Sequence, residues 1–263
     1  MAQIGLQMYT MRKHVANKEE YAQTIKRIAE IGYRSIQVTK PGFFTDEEYI
    51  ALLDQYGIKA DSVFVPTGKI VEMAPAAAVQ AQKFGCDVLR TDSIPAALRG
   101  SADGYKKYAE ILNAEGKACR ENGLRLIYHF HAFEWIRFAA EKTRGIDILL
   151  NETDPTAVFF QPDVFWLTSA GTEPSDSLKM FAGRAWSIHV KDYAIIPLEG
   201  KIENVPRRFA SVGEGNLNWK GILATAKEIG IQRFVVEQDE CDGDEFDAIA
   251  TSFNTLRSFG LEA

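Results

Sequence analysis

Ionisable side chains stand at the ends of four short apolar runs in the second half of the chain, which read LRLIYHFHAFEW, VFFQPDVFW, WSIHVKDY and RFVVEQDE. Imidazole, carboxylate and ammonium groups in such positions bind cations or transfer protons when the ends of their strands meet. Side chains two apart in a strand lie on one face of it. The pairs that share a face are His129 with His131, Gln161 with Asp163, His189 with Lys191, and Glu237 with Asp239. If these faces point inward, the groups converge on one site.

The donor types indicate the chemistry of that site. Imidazole nitrogens together with carboxylate oxygens suit Mn, Zn, Co or Mg, so we expect one divalent metal ion. Glu237 lies in an apolar run, where a buried carboxylate needs an opposite charge, and either Lys191 or the metal ion can supply it. Two other interpretations stay open. A histidine such as His129 inside a strand is often a hydrogen-bonded core residue, and Asp163 after Pro162 can cap a helix.

Short apolar runs alternate with longer segments of helical periodicity along the whole sequence. Segments such as EEYAQTIKRIAEIG and WKGILATAKEIG repeat apolar residues at helical spacing and end in glycine. The predicted strands are Ile4 to Met8, Ser35 to Thr39, Ala60 to Val65, Asp87 to Thr91, Leu124 to His131, Val158 to Phe165, Ala185 to Lys191 and Phe234 to Gln238. Strands that alternate with helices pair in parallel through crossovers, and about eight such units in roughly 250 residues favour a closed barrel.

We therefore predict an α/β fold in which residues 1–263 form a single (β/α)8 TIM barrel domain. No Gly-rich dinucleotide fingerprint follows the first predicted strand, which weakens the alternative of a Rossmann fold. The longest stretch without periodicity, Ala194 to Leu217, is a candidate active-site loop. Barrel enzymes place their active sites at the carboxyl ends of the strands, where the ionisable groups stand here.

The composition disfavours several classes of function. A net charge of -6 predicts no basic surface for nucleic acid or an anionic membrane, so the expected partner is a small molecule. Cys86, Cys119 and Cys241 are odd in number and form no CxxC pair, which predicts free thiols in a reducing, cytoplasmic compartment. No apolar run approaches the length of a membrane span, and the start of the chain lacks a signal-peptide pattern.

Several motifs together resemble one family. They are Gln7-Met-Tyr9, Tyr128-His-Phe-His-Ala-Phe-Glu134-Trp, Asp163-Val-Phe-Trp166, His189-Val-Lys-Asp192, Val212-Gly-Glu-Gly215 and Val236-Glu-Gln-Asp239. On these motifs the chain resembles the xylose isomerase-like barrel superfamily, also called sugar phosphate isomerase/epimerase or AP endonuclease family 2. The resemblance implies one divalent ion held by Glu134, Asp163, His189 and Glu237. His131 is the competing ligand for the place of Glu134.

The same resemblance implies chemistry on a sugar. A divalent ion at a carbonyl and its neighbouring hydroxyl stabilises an enediolate, so we expect a metal-dependent isomerase or epimerase of a ketose or keto-sugar derivative. Glu237 is the candidate base, and His129 or His131 is the candidate acid. Lys191 either holds a substrate oxygen or forms an ion pair with Glu237 or Asp239.

Candidate substrate-binding residues are Gln7, Tyr9, Trp166 and Arg207. We predict no phosphate cradle in the loop that contains Gly213 and Gly215, because Glu214 between them would repel an anion. That loop is expected to be scaffold, and the expected substrates are non-phosphorylated sugar derivatives.

Other functions remain as alternatives. Elimination from the same intermediate would make the chain a lyase or dehydratase of 3-keto-glycosides or inososes. An AP endonuclease-type nuclease needs a histidine-rich metal cluster and a basic face, whereas this chain has only four histidines. A non-catalytic sugar-binding barrel would not need the acidic groups found at three strand ends. A homodimer through the outer helices is compatible with the sequence, although no heptad pattern indicates it.

Overall fold

The computed structural model describes residues 2–196 and 207–263, and in these residues eight parallel strands form one sheet that curls into a barrel. The strands are β1 (Gln3–Gln7), β2 (Ser35–Val38), β3 (Lys59–Phe64), β4 (Val88–Asp92), β5 (Arg125–His129), β6 (Val158–Gln161), β7 (Ile188–Val190) and β8 (Arg233–Val236). Strands β1 to β6 pair in chain order, and β8 lies between β1 and β7. The predicted single-domain (β/α)8 barrel is confirmed.

The barrel closes between β6 and β7 through isolated pairs rather than a continuous ladder. Phe160 bridges to Ala185, and Asp163 bridges to His189. The His189 N–H donates to the carbonyl oxygen of Pro162 at 2.8 Å. Asp163 and His189, which stand near predicted strand ends, therefore lie next to each other where the barrel closes.

Helices surround the barrel in the described parts of the chain. They are α1 (Lys18–Ile31), α2 (Asp46–Gln55), α3 (Ile70–Lys83), α4 (Ala102–Glu121), α5 (Gly145–Glu152), α6 (Val164–Ser169), α7 (Pro174–Leu178), α8 (Trp219–Glu228) and α9 (Glu245–Ser258). Asn17 caps the start of α1, and Thr45 with Glu48 forms a capping box at the start of α2. Gly32 ends α1 at a φ of 127°, where a Cβ would lie 2.6 Å from the Phe253 ring.

All four strands of the second half end earlier than predicted, and for β5 and β6 the following turn or helix gives the reason. β5 stops at His129 because a 3-10 turn, Ala132–Trp135, follows almost at once. β6 stops at Gln161 because Asp163 caps α6 with its side chain. His131 therefore lies just before a turn, and Asp163 lies at a helix start rather than inside a strand.

The predicted loop of residues 194–217 contains regular structure. Asp192–Ile195 pairs with Arg207–Ala210 as an antiparallel hairpin. Positions 197–206 of that predicted active-site loop lie outside the described residues. A second small hairpin pairs Arg137–Phe138 with Thr143–Arg144.

The apolar core contains side chains from the strands and helices, whereas buried polar side chains collect at the carboxyl ends of the strands. Leu6, Leu89 and Phe234 are fully buried in the core. Gln7, which is next to Leu6, instead lines a cavity at the mouth of the barrel. None of the described helices combines the length and the apolar character that crossing a bilayer requires.

Candidate metal centre

Four buried side chains converge at the carboxyl ends of β5 to β8. His129 ends β5, Asp163 follows β6, His189 lies in β7 and Glu237 follows β8. Their candidate ligand atoms all lie within 4.8 Å of one another. Atoms on opposite sides of an ion, with bonds of about 2.1 Å, are about 4.2 Å apart, so the spacing fits one small cation.

The imidazole of His189 is held by side chains from β2 and β3. Its Nε2 lies 2.8 Å from Gln37 Oε1, and Gln37 Nε2 donates to Asp61 Oδ2 at 3.3 Å. Asp61 also pairs with Arg233 at 2.9 Å, so its carboxylate accepts and the amide oxygen of Gln37 must face His189. His189 Nε2 therefore carries a proton. Nδ1, 2.9 Å from Glu237 Oε2, is the atom available to a cation.

His129 is held in the complementary orientation. Its Nδ1 lies 3.4 Å from the carbonyl oxygen of Gln161, which can only accept, so Nδ1 carries the proton and Nε2 keeps its lone pair. Burial, and then the neighbouring His189 and His131, lower the pKa of His129 well below its ordinary value. A neutral imidazole with a free lone pair is the form that binds a metal ion.

The two carboxylates each leave one oxygen without a hydrogen bond in the described residues. Asp163 Oδ1 accepts from the N–H groups of Phe165 and Trp166 at 2.9 and 3.2 Å, whereas its Oδ2 has no hydrogen-bond partner. Glu237 Oε2 and His189 Nδ1 are close together but not in hydrogen-bond geometry. Apart from the ion pairs that Lys191 forms with both carboxylate oxygens, these three buried acceptor atoms have no partner among the described residues, and such a set fits a site that takes a cation.

The ammonium group of Lys191 lies beside these carboxylates. Its Nζ is 2.8 Å from Glu237 Oε2, 3.2 Å from Asp163 Oδ2 and 3.1 Å from Asp239 Oδ2. Burial lowers the pKa of Lys191, but the three carboxylates raise it by more, so the amine stays protonated. Burial raises the pKa of Glu237, but Lys191 and His189 outweigh it and hold that pKa well below its usual range. The Glu237 carboxylate is therefore ionised.

The donor set and the local charge fit a divalent ion. Asp163, Glu237 and Asp239 bring three negative charges against the single ammonium of Lys191. The surplus negative charge favours binding of a further cation. Two imidazoles and two carboxylates form the mixed nitrogen and oxygen set that Zn, Mn and Co accept.

Glu134, the ligand that the resemblance implies for strand five, does not join this group. Its Oε1 accepts the O–H of Tyr128, and its Oε2 accepts the N–H of His131 at 2.9 Å. Burial raises the pKa of Glu134 to about 8. Glu134 thus closes the turn after β5, and His129 rather than Glu134 lies within reach of Asp163, His189 and Glu237. His131, the competing ligand, also lies outside the group and faces the neighbouring cavity.

A cavity of about 660 Å³ opens beside the four converging side chains. The predicted site residues on its wall are Gln7, Tyr9, His129, His131, Lys191 and Glu237. Two predicted substrate-binding residues are not on this wall. Trp166 packs against His131 with ring centroids 5.4 Å apart, and Arg207 is exposed on the hairpin. The structure thus gathers the predicted catalytic residues but only part of the predicted substrate contacts.

Sequence reasoning missed polar residues of the early strands. Arg90 and Asp92 at the end of β4 line the cavity, and Gln37 in β2 supports His189. For β4 a signal was present, because an arginine and an aspartate two apart interrupt the apolar run VLRTD. For β2 the signal was weak, since a single glutamine among apolar residues is common in strands.

The glycine-containing loop after the first hairpin is fastened by a buried aspartate. Asp192 accepts from the N–H groups of Gly213, Gly215 and Leu217 at 2.8, 3.1 and 3.3 Å, and from Nε1 of Trp219 at 2.7 Å. The backbone groups that could bind a phosphate are therefore occupied. This arrangement agrees with the prediction that the loop is scaffold.

The fold agrees with the family comparison. Residues 25–259 match the family model of the xylose isomerase-like TIM barrel, and the chain belongs to that family. An inosose dehydratase from Clostridium perfringens is 25% identical over 150 residues, which cover 52% of this chain and 48% of that protein. The chain thus spans about half the length of this relative. An inosose dehydratase from Geobacillus kaustophilus is 24% identical over 250 residues, which cover 84% and 80% of the two chains.

Solved structures share the fold at low sequence identity. A sugar phosphate isomerase/epimerase from Parabacteroides distasonis has a TM-score of 0.81 and 21% identity, and the match covers 98% of this chain and 94% of that one. The IOLI protein, whose structure holds a zinc atom, has a TM-score of 0.73 and 14% identity, with 97% of both chains covered. These likenesses establish the barrel architecture.

Proposed function

We propose that the chain is a divalent-metal-dependent isomerase or epimerase of a ketose or keto-sugar derivative. The observation that carries this proposal is the convergence of His129, Asp163, His189 and Glu237 beside a cavity of about 660 Å³. That volume suits a small-molecule substrate. The relatives named as enzymes of sugar and inosose chemistry support an enzyme rather than a binding module.

The four converging side chains are the proposed ligands of one ion of the group Mn, Zn, Co and Mg. Such an ion, when bound, supplies a Lewis acid that polarises a carbonyl and makes the neighbouring C–H more acidic. Gln37 fixes the ring of His189, and the Gln161 carbonyl fixes that of His129, so both imidazoles are oriented before the ion arrives. The zinc in the IOLI neighbour supports a metal of this group.

Glu237 is the proposed base. It faces the cavity, and its carboxylate is ionised, which a group that accepts a proton from carbon requires. Lys191 holds the carboxylate at 2.8 Å and keeps it in this form. The side chain of Lys191 is fully buried, so its contacts to Glu237 and Asp163 also fix the positions of both acids.

His131 is the proposed acid that returns the proton. Its ring lines the cavity, its Nδ1 has no hydrogen-bond partner in the described residues, and burial lowers its pKa, so the ring is neutral. Its free nitrogen can take up a proton from solvent, and the resulting imidazolium gives that proton to carbon while Glu237 releases the proton it removed to solvent. Since His129 belongs to the ligand group, we assign this role to His131 alone. Return of the proton to the opposite face gives an epimer, and return to the adjacent carbon gives an isomer.

A metal-dependent dehydratase of inososes or 3-keto-glycosides is the second candidate. The similarity to an inosose dehydratase over 84% of the chain favours it. Proton removal by Glu237 would be the same step. His131, after it takes up a proton from solvent, would then give that proton to a departing hydroxyl group, which leaves as water, instead of to carbon. The two candidates therefore differ in the fate of one intermediate and not in the site.

Solvent exchange tests the shared step. The Mn-loaded protein is incubated in D2O with ketoses, 3-keto sugars and inososes, and NMR locates the carbon that gains deuterium. We expect exchange next to the carbonyl, and a decrease of at least about a hundredfold in Glu237→Gln or His131→Gln. Glu115→Gln, a buried carboxylate outside the site, is the matched control and should exchange at the wild-type rate.

The products separate the two candidates. A stereoisomer or a shifted carbonyl supports the isomerase or epimerase, and loss of water supports the dehydratase. His131→Gln keeps all four proposed ligands, so its metal content should equal that of the wild type. A metal-loaded wild type that exchanges no proton in any of these substrates would contradict an enzymatic function of this kind.

A further inference from the structure

One guanidinium group on the cavity wall has a buried Nε atom without a hydrogen-bond partner in the described residues. Arg90 in β4 is only 5% exposed, and in the part of the chain that the structure describes its side chain makes no hydrogen bond. Its Nη1 lies 3.7 Å from Asp92 Oδ2, and its Cζ lies 5.0 Å from the Phe64 ring centre. A guanidinium carries five N–H donors, and leaving a buried one such as that of Nε unpaired is costly. Such a group is expected where a ligand supplies the missing acceptors.

A second arginine of this barrel has its donors in use. Arg184 donates to the carbonyl oxygens of Val158 and Leu150 at 3.2 Å and to Thr153 Oγ1 at 2.8 Å. Arg184 is therefore explained by the fold alone. Arg90 has no such contacts, although it is the more deeply buried of the two. Because Arg90 lies on the cavity wall, its unused donors are available to something that enters the cavity.

The charges around the cavity favour an acidic ligand. The cations on the wall are Arg12, Arg90 and Lys191. The carboxylates on or next to the wall are Asp92, Asp163, Glu237 and Asp239. These groups leave one net negative charge, and a bound divalent ion would turn it into one net positive charge. A single carboxylate on the substrate neutralises that charge.

A carboxylate fits this place better than a phosphate does. Two coplanar oxygens match two parallel N–H groups of a guanidinium. Phosphates in barrel enzymes bind mainly to backbone N–H groups of loops and helix starts, and Asp192 already occupies those of Gly213 and Gly215. A phosphate dianion would also exceed the single positive charge of the loaded cavity.

We propose that Arg90 binds a carboxylate of the substrate, so that the substrate is a small keto sugar acid rather than a neutral sugar or a sugar phosphate. The inference rests on the proposed function, because it places the ligand in the same cavity as the metal-dependent site. It concerns a separate contact, since Arg90 anchors the substrate and takes no part in proton transfer.

Calorimetric titration of the Mn-loaded protein tests the anchor without measuring turnover. The probes are D-glucuronate, D-galacturonate and D-mannuronate, each compared with its parent aldose and with the corresponding sugar phosphate. We expect at least one uronate to bind about tenfold more tightly than its aldose, as a charge-assisted bidentate contact provides. In Arg90→Met this preference should fall below about twofold, and Arg90→Lys should keep an intermediate preference.

Arg125→Met is the matched control. Arg125 begins β5, at the opposite end of the barrel, and packs on the Trp186 ring at 3.6 Å, so its loss should leave the uronate preference unchanged. Because Arg90 makes no hydrogen bond among the described residues, Arg90→Met should also melt no lower than the wild type. A wild type that binds aldoses or sugar phosphates as tightly as uronates would overturn the proposal. A preference for uronates that persists in Arg90→Met would overturn it as well.

The outcomes for Arg90 and for the enzymatic function are distinguishable. An Arg90-dependent preference for uronates without deuterium exchange in any substrate would leave the anchor intact and contradict the enzyme. Deuterium exchange in neutral keto sugars, without a preference for uronates in binding, would support the enzyme and contradict the anchor.

Discussion

Asp163 follows β6 and Asp192 follows β7, and both side chains are fully buried at the carboxyl end of the barrel. Asp192 uses both oxygens to accept five N–H groups, and these bonds fasten the loop that contains Gly213 and Gly215. Asp163 uses only Oδ1 in this way and leaves Oδ2 beside Lys191 and near His189. The two buried aspartates thus differ in role: Asp192 holds a loop with both oxygens, and Asp163 has one oxygen left that can bind a cation.

Glu115 in α4 shows that a free oxygen alone does not make a cation site. Its Oε1 accepts from the N–H groups of Gly68 and Ile70 at 2.6 and 3.4 Å, and its Oε2 has no partner in the described residues. No ion pair with Glu115 is found among those residues. Burial therefore raises the pKa of Glu115 to about 7. Asp163 differs because its free oxygen lies within an array of charged and metal-binding groups.

The largest expected effect comes from removing the free oxygen of the metal centre. Asp163→Asn keeps the helix cap through its remaining oxygen but replaces Oδ2 by an amide nitrogen, which cannot bind a cation. We expect deuterium exchange to fall by about a thousandfold and Mn retained after dialysis to fall to trace levels. Metal content is measured by mass spectrometry. A variant that retains the full metal content would remove the distinction between Asp163 and Asp192.

Asp192→Asn should produce the opposite pattern. An amide nitrogen would face N–H donors that now meet a carboxylate oxygen, so we expect the free energy of unfolding to drop by about 3 kcal/mol. Urea denaturation of the metal-free protein measures this change. The Mn affinity of the folded variant should match the wild type, because the four proposed ligands are untouched. An unchanged urea midpoint would show that the loop does not depend on this carboxylate.

Glu115→Gln should change the pH dependence of stability. The pKa of the Glu115 carboxyl in the folded protein is about 7 and exceeds the ordinary value of 4.5. The contribution of this group to the free energy of unfolding is therefore complete below about pH 4.5 and is lost as the pH rises through 7. Relative to the wild type, the glutamine variant should gain roughly 3 kcal/mol at pH 8 and nothing at pH 4. Urea midpoints across this range give the difference. Parallel profiles for the two proteins would mean that Glu115 titrates normally.

The smallest expected effect comes from removing the hydrogen-bond acceptor behind the His189 ring, and it concerns the Mn affinity. Gln37→Met removes the acceptor that fixes the ring but leaves all four proposed ligands in place. We expect the Mn affinity to fall about tenfold, as loss of a partner behind a histidine ligand usually causes. Calorimetric titration of the metal measures it. Gln7→Met is the control, because Gln7 donates to Gln37 at 3.2 Å but makes no hydrogen bond to His189 among the described residues, and should have a smaller effect.

The repeating pattern and much of the metal centre are visible in the sequence. Apolar periodicity and helix-ending glycines are local properties, so the alternation of strands and helices follows from them. Asp163, His189 and Glu237 could be picked out because each stands at the end of an apolar run. A closed barrel brings the carboxyl ends of all its strands to one mouth, which is why residues far apart in the chain could be expected to meet.

Only the tertiary structure decided which side chain at the end of β5 lies beside Asp163, His189 and Glu237. His129, His131 and Glu134 lie within six positions, so the sequence could not choose among them. The choice depends on where β5 stops, and Glu134 sets that point by closing the turn that follows. The missing partners of Arg90 were equally invisible, because only the packed barrel determines which buried donors find an acceptor within the chain.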